Sequence, residues 1–162
     1  MPYVSQQPYK HLCWAACGAM VLQYYQTPGS DLPDVVSKML GSHCSVQPIP
    51  GACDSAAWPQ DLYAKYGYTC QIAGGPLTPQ SVQAWITNTQ PVQPYFQWND
   101  DEGNHTVLIV GWYANEPTID LLVFDPLGGI GRQSYQMVLH AGGKGTWQDT
   151  WYNIRPTGAP QS

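Results

Sequence analysis

The sequence predicts an α+β fold, with its helices first and an antiparallel sheet second. Three observations carry this: an apolar helical period near the N-terminus, cap and breaker residues marking further helices before residue 90, and a change after Gln90 to short runs rich in Val, Ile, Tyr and Trp. At 162 residues, 43% of them hydrophobic, the chain has the size of one domain. A single unit over 1–162 is expected, with a helical lobe (1–90) packed on a β lobe (91–162).

Cys13, Ala16, Cys17, Met20, Val21 and Tyr24 share one helical face and predict a buried helix over 13–25, stopped by Thr27-Pro28-Gly29. Ser30 or Asp31 is a candidate N-cap, with Pro33 in the first turn of a short helix to about Leu40. Residues 41–54 read as a loop, with Cys44 and Cys53 flanking Pro48-Ile49-Pro50-Gly51. Pro59 opens a helix over 60–66 that Gly67 closes, and Thr78-Pro79 opens another to about Thr87. Strands are expected at 92–98, 105–113, 119–125, 133–139 and 147–154, separated by Gly and Asn/Asp turns.

Charged residues make up only 10% of the chain, against a usual ~25%. Solubility then rests on neutral polar side chains. The net charge of −5, with six scattered basic residues, argues against nucleic-acid binding. No apolar run reaches the ~18 residues that would suggest a membrane span, and the opening residues lack the pattern of a signal peptide. Low charge, many aromatics and five cysteines nevertheless suggest a secreted protein, its leader trimmed or its secretion route leaderless; a monomer is expected. An odd cysteine count in an oxidising setting leaves one free thiol to account for.

Cys13 is the candidate nucleophile, because a helix N-terminus favours a thiolate. The string Gln7-Pro8-Tyr9-Lys10-His11-Leu12-Cys13-Trp14-Ala15-Ala16 resembles the papain-like cysteine proteases, in which a glutamine six residues before the nucleophile completes the oxyanion hole. Asn104-His105-Thr106-Val107-Leu108-Ile109-Val110-Gly111-Trp112 is similar to the family's histidine strand, and Val123-Phe124-Asp125-Pro126 to the strand carrying the third member. The resemblance is closest to the small bacterial branches, the AvrRpt2-type effectors and the C39-like peptidases. It implies a papain-like fold with a cleft between the lobes, a triad of Cys13, His105 and Asp125, and Gln7 at the oxyanion. It also implies Trp14 and Trp112 as walls of the site, and a protein or peptide substrate. Papain has a disulfide cysteine where this chain has Lys10, and Asn where it has Asp125.

With Cys13 free, Cys17, Cys44, Cys53 and Cys70 allow three pairings. Cys44–Cys53 with Cys17–Cys70 is favoured, because the first closes a short Pro/Gly loop and the second ties the central helix to the segment after the third helix. His11 and His140 read as loop and turn residues. His43 beside Cys44 lacks zinc-ligand spacing, and Asn99-Asp100-Asp101-Glu102 reads as a solvated turn rather than a calcium loop. No metal or organic cofactor is expected. Two rivals to a cysteine endopeptidase are a transglutaminase-like acyltransferase using the same triad and a secreted aromatic-rich binding module.

Overall fold

The computed structural model describes residues 1–100 and 103–158. Helix α1 (Cys13–Tyr24) runs through the core, and every residue from Cys13 to Leu22 is buried. The expected apolar stripe is therefore a helix covered all round, as small residues on its other faces permit. Helices α2 (Leu32–Leu40) and α3 (Pro59–Lys65) pack against it. Asp31 caps α2 by accepting the Asp34 amide at 2.9 Å, which assigns the cap that Ser30 or Asp31 left open. Between α2 and α3 the loop forms two 3₁₀ turns, Ser42–Cys44 and Gly51–Cys53, joined by a Cys44–Cys53 disulfide.

Strand β1 (Tyr68–Ala73) and helix α4 (Pro79–Thr87) follow, then β2 (Gln93–Trp98), β3 (Asn104–Thr106), β4 (Leu108–Asn115), β5 (Thr118–Asp125) and β6 (Gly129–Ser134). Helix α5 (Tyr135–Leu139) and the long strand β7 (Gly145–Pro156) complete the described chain. The strands make two antiparallel sheets, ordered β1-β7-β2-β3 and β4-β5-β6. Among the described residues, no helix is long and apolar enough to cross a membrane.

The structure corrects the expected elements in four places. Strand β1 lies within the half expected to be helical, where one of its edges is satisfied by pairing with β7 from the far end of the chain. The strand expected at 105–113 is broken at Val107, whose amide turns to the Pro94 carbonyl as the chain passes from one sheet to the other. The strand expected at 133–139 ends as β6 at Ser134 and turns into α5: Ser134 accepts the Met137 amide at 3.1 Å, and Tyr135 and Val138, three residues apart, are buried. Finally, Val82, Trp85 and Ile86 of α4 pack into the cluster of Val92, Ile109 and Leu121, so α4 sides with the sheets and a boundary at Gln90 cuts through one core.

Gly145 sits at a close approach of two strands, opposite Trp98 in the β2–β7 register. An added Cβ would run into the Gln97 carbonyl oxygen and press on the Trp98 ring. Gly145→Ala is expected to destabilise the protein by about 1–3 kcal/mol. A urea-denaturation midpoint with unchanged slope would measure this.

Candidate active site

Cys13 begins α1, and Leu12 before it provides no side-chain cap, so no side chain covers the amides of the first helical turn. Those amides and the positive end of the helix dipole lie at the residue that carries the sulfur, where they can accept negative charge that develops in a reaction. His105 lies in the middle of β3 and is 4% exposed, while Asp125 ends β5. His105 Nε2 and Asp125 Oδ1 are 2.6 Å apart. Cys13 acts on the same imidazole, and with Nε2 turned to Asp125, Nδ1 is the nitrogen left for the sulfur.

The charges follow from this geometry. Burial lowers the affinity of His105 for a proton, but its bonds to Asp125 and Cys13 outweigh burial and push its pKa up to about 9. Burial also opposes ionisation of Asp125, yet the hydrogen bond and charge of His105, with the Leu127 and Gly128 amides, hold its carboxyl below the ordinary value. The histidine's contribution to stability is complete below about pH 6.5, the free imidazole value, and is lost as pH rises through about 9. That of Asp125 is present above about 3.8 and disappears as pH falls.

The Trp98 ring lies parallel to the imidazole, with centroids 5.5 Å apart and planes 16° from one another. A cavity of about 420 Å³ opens on Cys13 and His105 and is bordered by Trp14, Tyr95, Trp98 and Asn104. A second cavity, of about 400 Å³, lies on the side of His105 that carries Asp125, with Leu127 and Lys144 on its wall. His105 thus borders both hollows, whereas Cys13 borders the first.

Of the residues expected at the site, Cys13, His105, Asp125 and Trp14 converge. Trp14 is buried, and its indole N–H donates to the Ser55 carbonyl at 2.9 Å. Trp112 does not join them. A bulge between Ile109 and Gly111 re-aims β4, and the Trp112 indole reaches Thr87 on α4 at 3.3 Å instead. Trp98 takes the place foreseen for Trp112, at the end of a strand where nothing in the residue spacing marked it.

Gln7 is exposed, and its amide donates to the Leu127 carbonyl at 3.3 Å. The Leu127 amide in turn donates to Asp125 Oδ1 at 2.9 Å, linking Gln7 to the acid through two bonds. Gln6 is buried, with Nε2 donating to the Tyr9 and Lys10 carbonyls at 3.0 and 3.3 Å. Both its amide hydrogens are committed to that turn, whereas Gln7 retains one.

The cysteine framework holds in one half only. Cys44 and Cys53 are bonded, but Cys17 and Cys70 are separate free thiols, as is Cys13. Cys17 points from α1 to the Thr106 carbonyl, 3.5 Å away on β3, so it faces one edge strand of the four-stranded sheet, whereas Cys70 lies on β1 at the opposite edge. Burial pushes the Cys17 thiol well above its ordinary value and that of Cys70 up to about 11.

His140 caps the end of α5, and exposed His11 borders the nucleophile's cavity through a loop. His43 lies 3.5 Å from the Cys44 sulfur, and one ligand atom each of His43, Cys44 and Cys53 fit within 4.8 Å of one another. The two sulfurs are bonded to each other, and a metal needs thiolates. Asp101 and Glu102 of the Asn99–Glu102 turn lie outside the described residues.

Neither a protein-family model nor a curated relative matches the sequence. Solved structures do match by shape. A Bacillus anthracis protein described as a C39-like peptidase superposes with a TM-score of 0.62 at 16% identity, covering 96% of each chain. A double glycine motif protease from an AMS/PCAT transporter, solved in complex with a leader peptide, matches with a TM-score of 0.54 at 18% identity, over 96% of this chain and 91% of that one. The fold is papain-like α+β. Within that class it is the fold seen in C39-like peptidases.

Proposed function

We propose that the protein is a cysteine endopeptidase acting through Cys13, His105 and Asp125. The observation that carries this reading is the chain of contacts from the uncapped N-terminus of a buried helix, through the imidazole, to an ionised carboxyl beside a cavity. Cys13 thiolate attacks the peptide carbonyl. The resulting oxyanion is held by the Cys13 amide and Gln7, and His105 Nδ1–H protonates the departing amine. Water, deprotonated by the now neutral imidazole, then cleaves the thioester. Asp125 holds the ring and favours its charged state.

The substrate is a protein or peptide. The leader peptide in complex with the transporter protease supports a peptide substrate, and the hollows on either side of His105 have room for one. A secreted setting is supported by the Cys44–Cys53 disulfide, since such bonds persist outside the reducing cytosol.

The direct test is cleavage of a peptide library by wild-type protein and by Cys13→Ala, with iodoacetamide labelling at pH 6 mapped to residues. Cleavage only by the wild type, and label on Cys13 ahead of Cys17 and Cys70, support the reading; cleavage by both proteins rules it out.

The charge state of His105 also sets a pH limit. The imidazolium must give its proton to the leaving amine, so kcat/KM is expected to fall on the alkaline side with a midpoint near 9. Asp125→Asn removes an interaction that raises this value, and the limb should move to lower pH. A pH–rate profile of both proteins checks the direction.

A further inference from the structure

The segment after the disulfide loop grips the chain just ahead of the nucleophile. Asp54 accepts the Lys10 amide on Oδ2 at 3.0 Å and the His11 amide on Oδ1 at 2.8 Å. Next to it, the Ser55 carbonyl accepts the Trp14 indole N–H at 2.9 Å, and the Ile49 amide donates to the Tyr9 hydroxyl at 2.7 Å. These bonds bracket Cys13 on both sides. A carboxylate accepting two successive backbone amides fixes the direction of the peptide planes between them, and charge-assisted bonds of this kind are among the stronger ones.

Where this grip falls matters. A side-chain cap at Leu12 would lie over the first turn of α1, where the thiolate and the developing oxyanion need open amides. Asp54 holds the chain two and three residues before Cys13 and leaves that turn uncovered. Asp54 is itself bonded in sequence to Cys53, whose sulfur is buried and tied to buried Cys44.

We propose that Asp54 is a positioning residue for Cys13, and that the Cys44–Cys53 disulfide acts on the site through it. The protein then has two opposed redox requirements, a reduced Cys13 and an oxidised pair that keeps Asp54 in place. A dithiol that converts Cys44–Cys53 to two thiols, and is itself oxidised to a cyclic disulfide, would loosen the presentation of Cys13 without touching Cys13, His105 or Asp125. The catalytic consequence rests on the peptidase reading; the effect on Cys13 itself does not.

Asp54→Ala, Asp54→Asn, the Cys44→Ser/Cys53→Ser pair and the triple variant with Asp54→Ala should be compared by three readouts: turnover per titrated Cys13, the pH profile of Cys13 alkylation, and Tm. Turnover in Asp54→Ala is expected to fall roughly 10- to 100-fold, the scale of a small misplacement at a reacting centre. KM should stay within about twofold, because the lost alignment counts in the transition state. Cys13 alkylation at pH 6 should slow in parallel. Asp54→Asn, which keeps shape and one good acceptor, should fall between Asp54→Ala and wild type.

The serine pair should lose activity in the same direction, and adding it to Asp54→Ala should cost little more, since the two act as one unit. Working below each variant's Tm keeps partial unfolding out of the comparison. Should Asp54→Ala fold poorly, the near-isosteric Asp54→Asn decides by the same readouts. Wild-type turnover per site and an unchanged alkylation profile in the Asp54 variants would overturn the proposal, as would losses that simply multiply in the triple variant. If the wild type cleaves no peptide, the peptidase reading fails, while the alkylation profiles still decide the role of Asp54.

Discussion

His105→Ala is expected to cut peptide turnover by about 10⁴-fold or more, as removal of a member of a catalytic unit does, and to slow alkylation of Cys13 near neutral pH. Both effects come from one ring. Its Nδ1 is the nitrogen left for Cys13, and its positive charge offsets the negative charge on sulfur as it attacks; its Nε2 side answers Asp125 at 2.6 Å. Removing it leaves a partly buried carboxyl with only backbone amides as partners, so Asp125 should be ionised less readily. Asp125→Asn is a milder change, since an amide can still orient the imidazole while its charge is lost. Steady-state rates and iodoacetamide kinetics on both variants test the order. Equal losses of alkylation rate in the two would mean that Asp125 does more than orient the ring and support its charge.

Gln7→Ala is expected to lower kcat by about 10²–10³-fold, the usual effect of losing one oxyanion donor. KM and stability should change little. The interaction with the reacting oxygen forms fully only in the tetrahedral state, and Gln7 is exposed, with a single long bond to Leu127. Gln6→Ala should behave in the opposite way. It empties a buried position and removes two bonds that shape the turn at residues 9 and 10, so its main effect is a lower Tm. Kinetics and thermal melts on the two variants separate these roles. A selective kcat loss in Gln6→Ala, with Gln7→Ala at full speed, would move the oxyanion role by one residue.

The parts of this molecule that were legible from sequence are those specified by neighbouring residues. Asp31 with Pro33 and Thr78 with Pro79 mark the starts of α2 and α4, because cap and first-turn proline act over three or four positions. Ser134 gives an equally good cap to α5, but Met137-Val138-Leu139 also suits a strand, and only the burial of Tyr135 and Val138 favours the helix. What depends on distant partners was not legible. Tyr68–Ala73 forms a strand because β7 reaches it from about 80 residues away in sequence.

The same distinction divides the site. Cys13, His105 and Asp125 stand at characteristic steps in local motifs, whereas Trp98 reaches His105 through the pairing of β2 with β3, and Asp54 reaches Lys10 across more than forty residues. The expected Cys17–Cys70 bond failed for a related reason. Helical phase determines which way Cys17 faces, but not which element stands opposite.

One consequence of the free thiols concerns covalent inhibitors. Cys13 and Cys17 lie one turn apart on the same helix, yet one opens on a cavity and the other is sealed under the sheet with its proton held firmly. Selectivity between these two is supplied by the fold, so an electrophile that meets the native protein will discriminate between Cys13 and Cys17, leaving half-buried Cys70 as the competing thiol. That protection ends when the chain unfolds, and the number of adducts per molecule then becomes a count of unfolded copies.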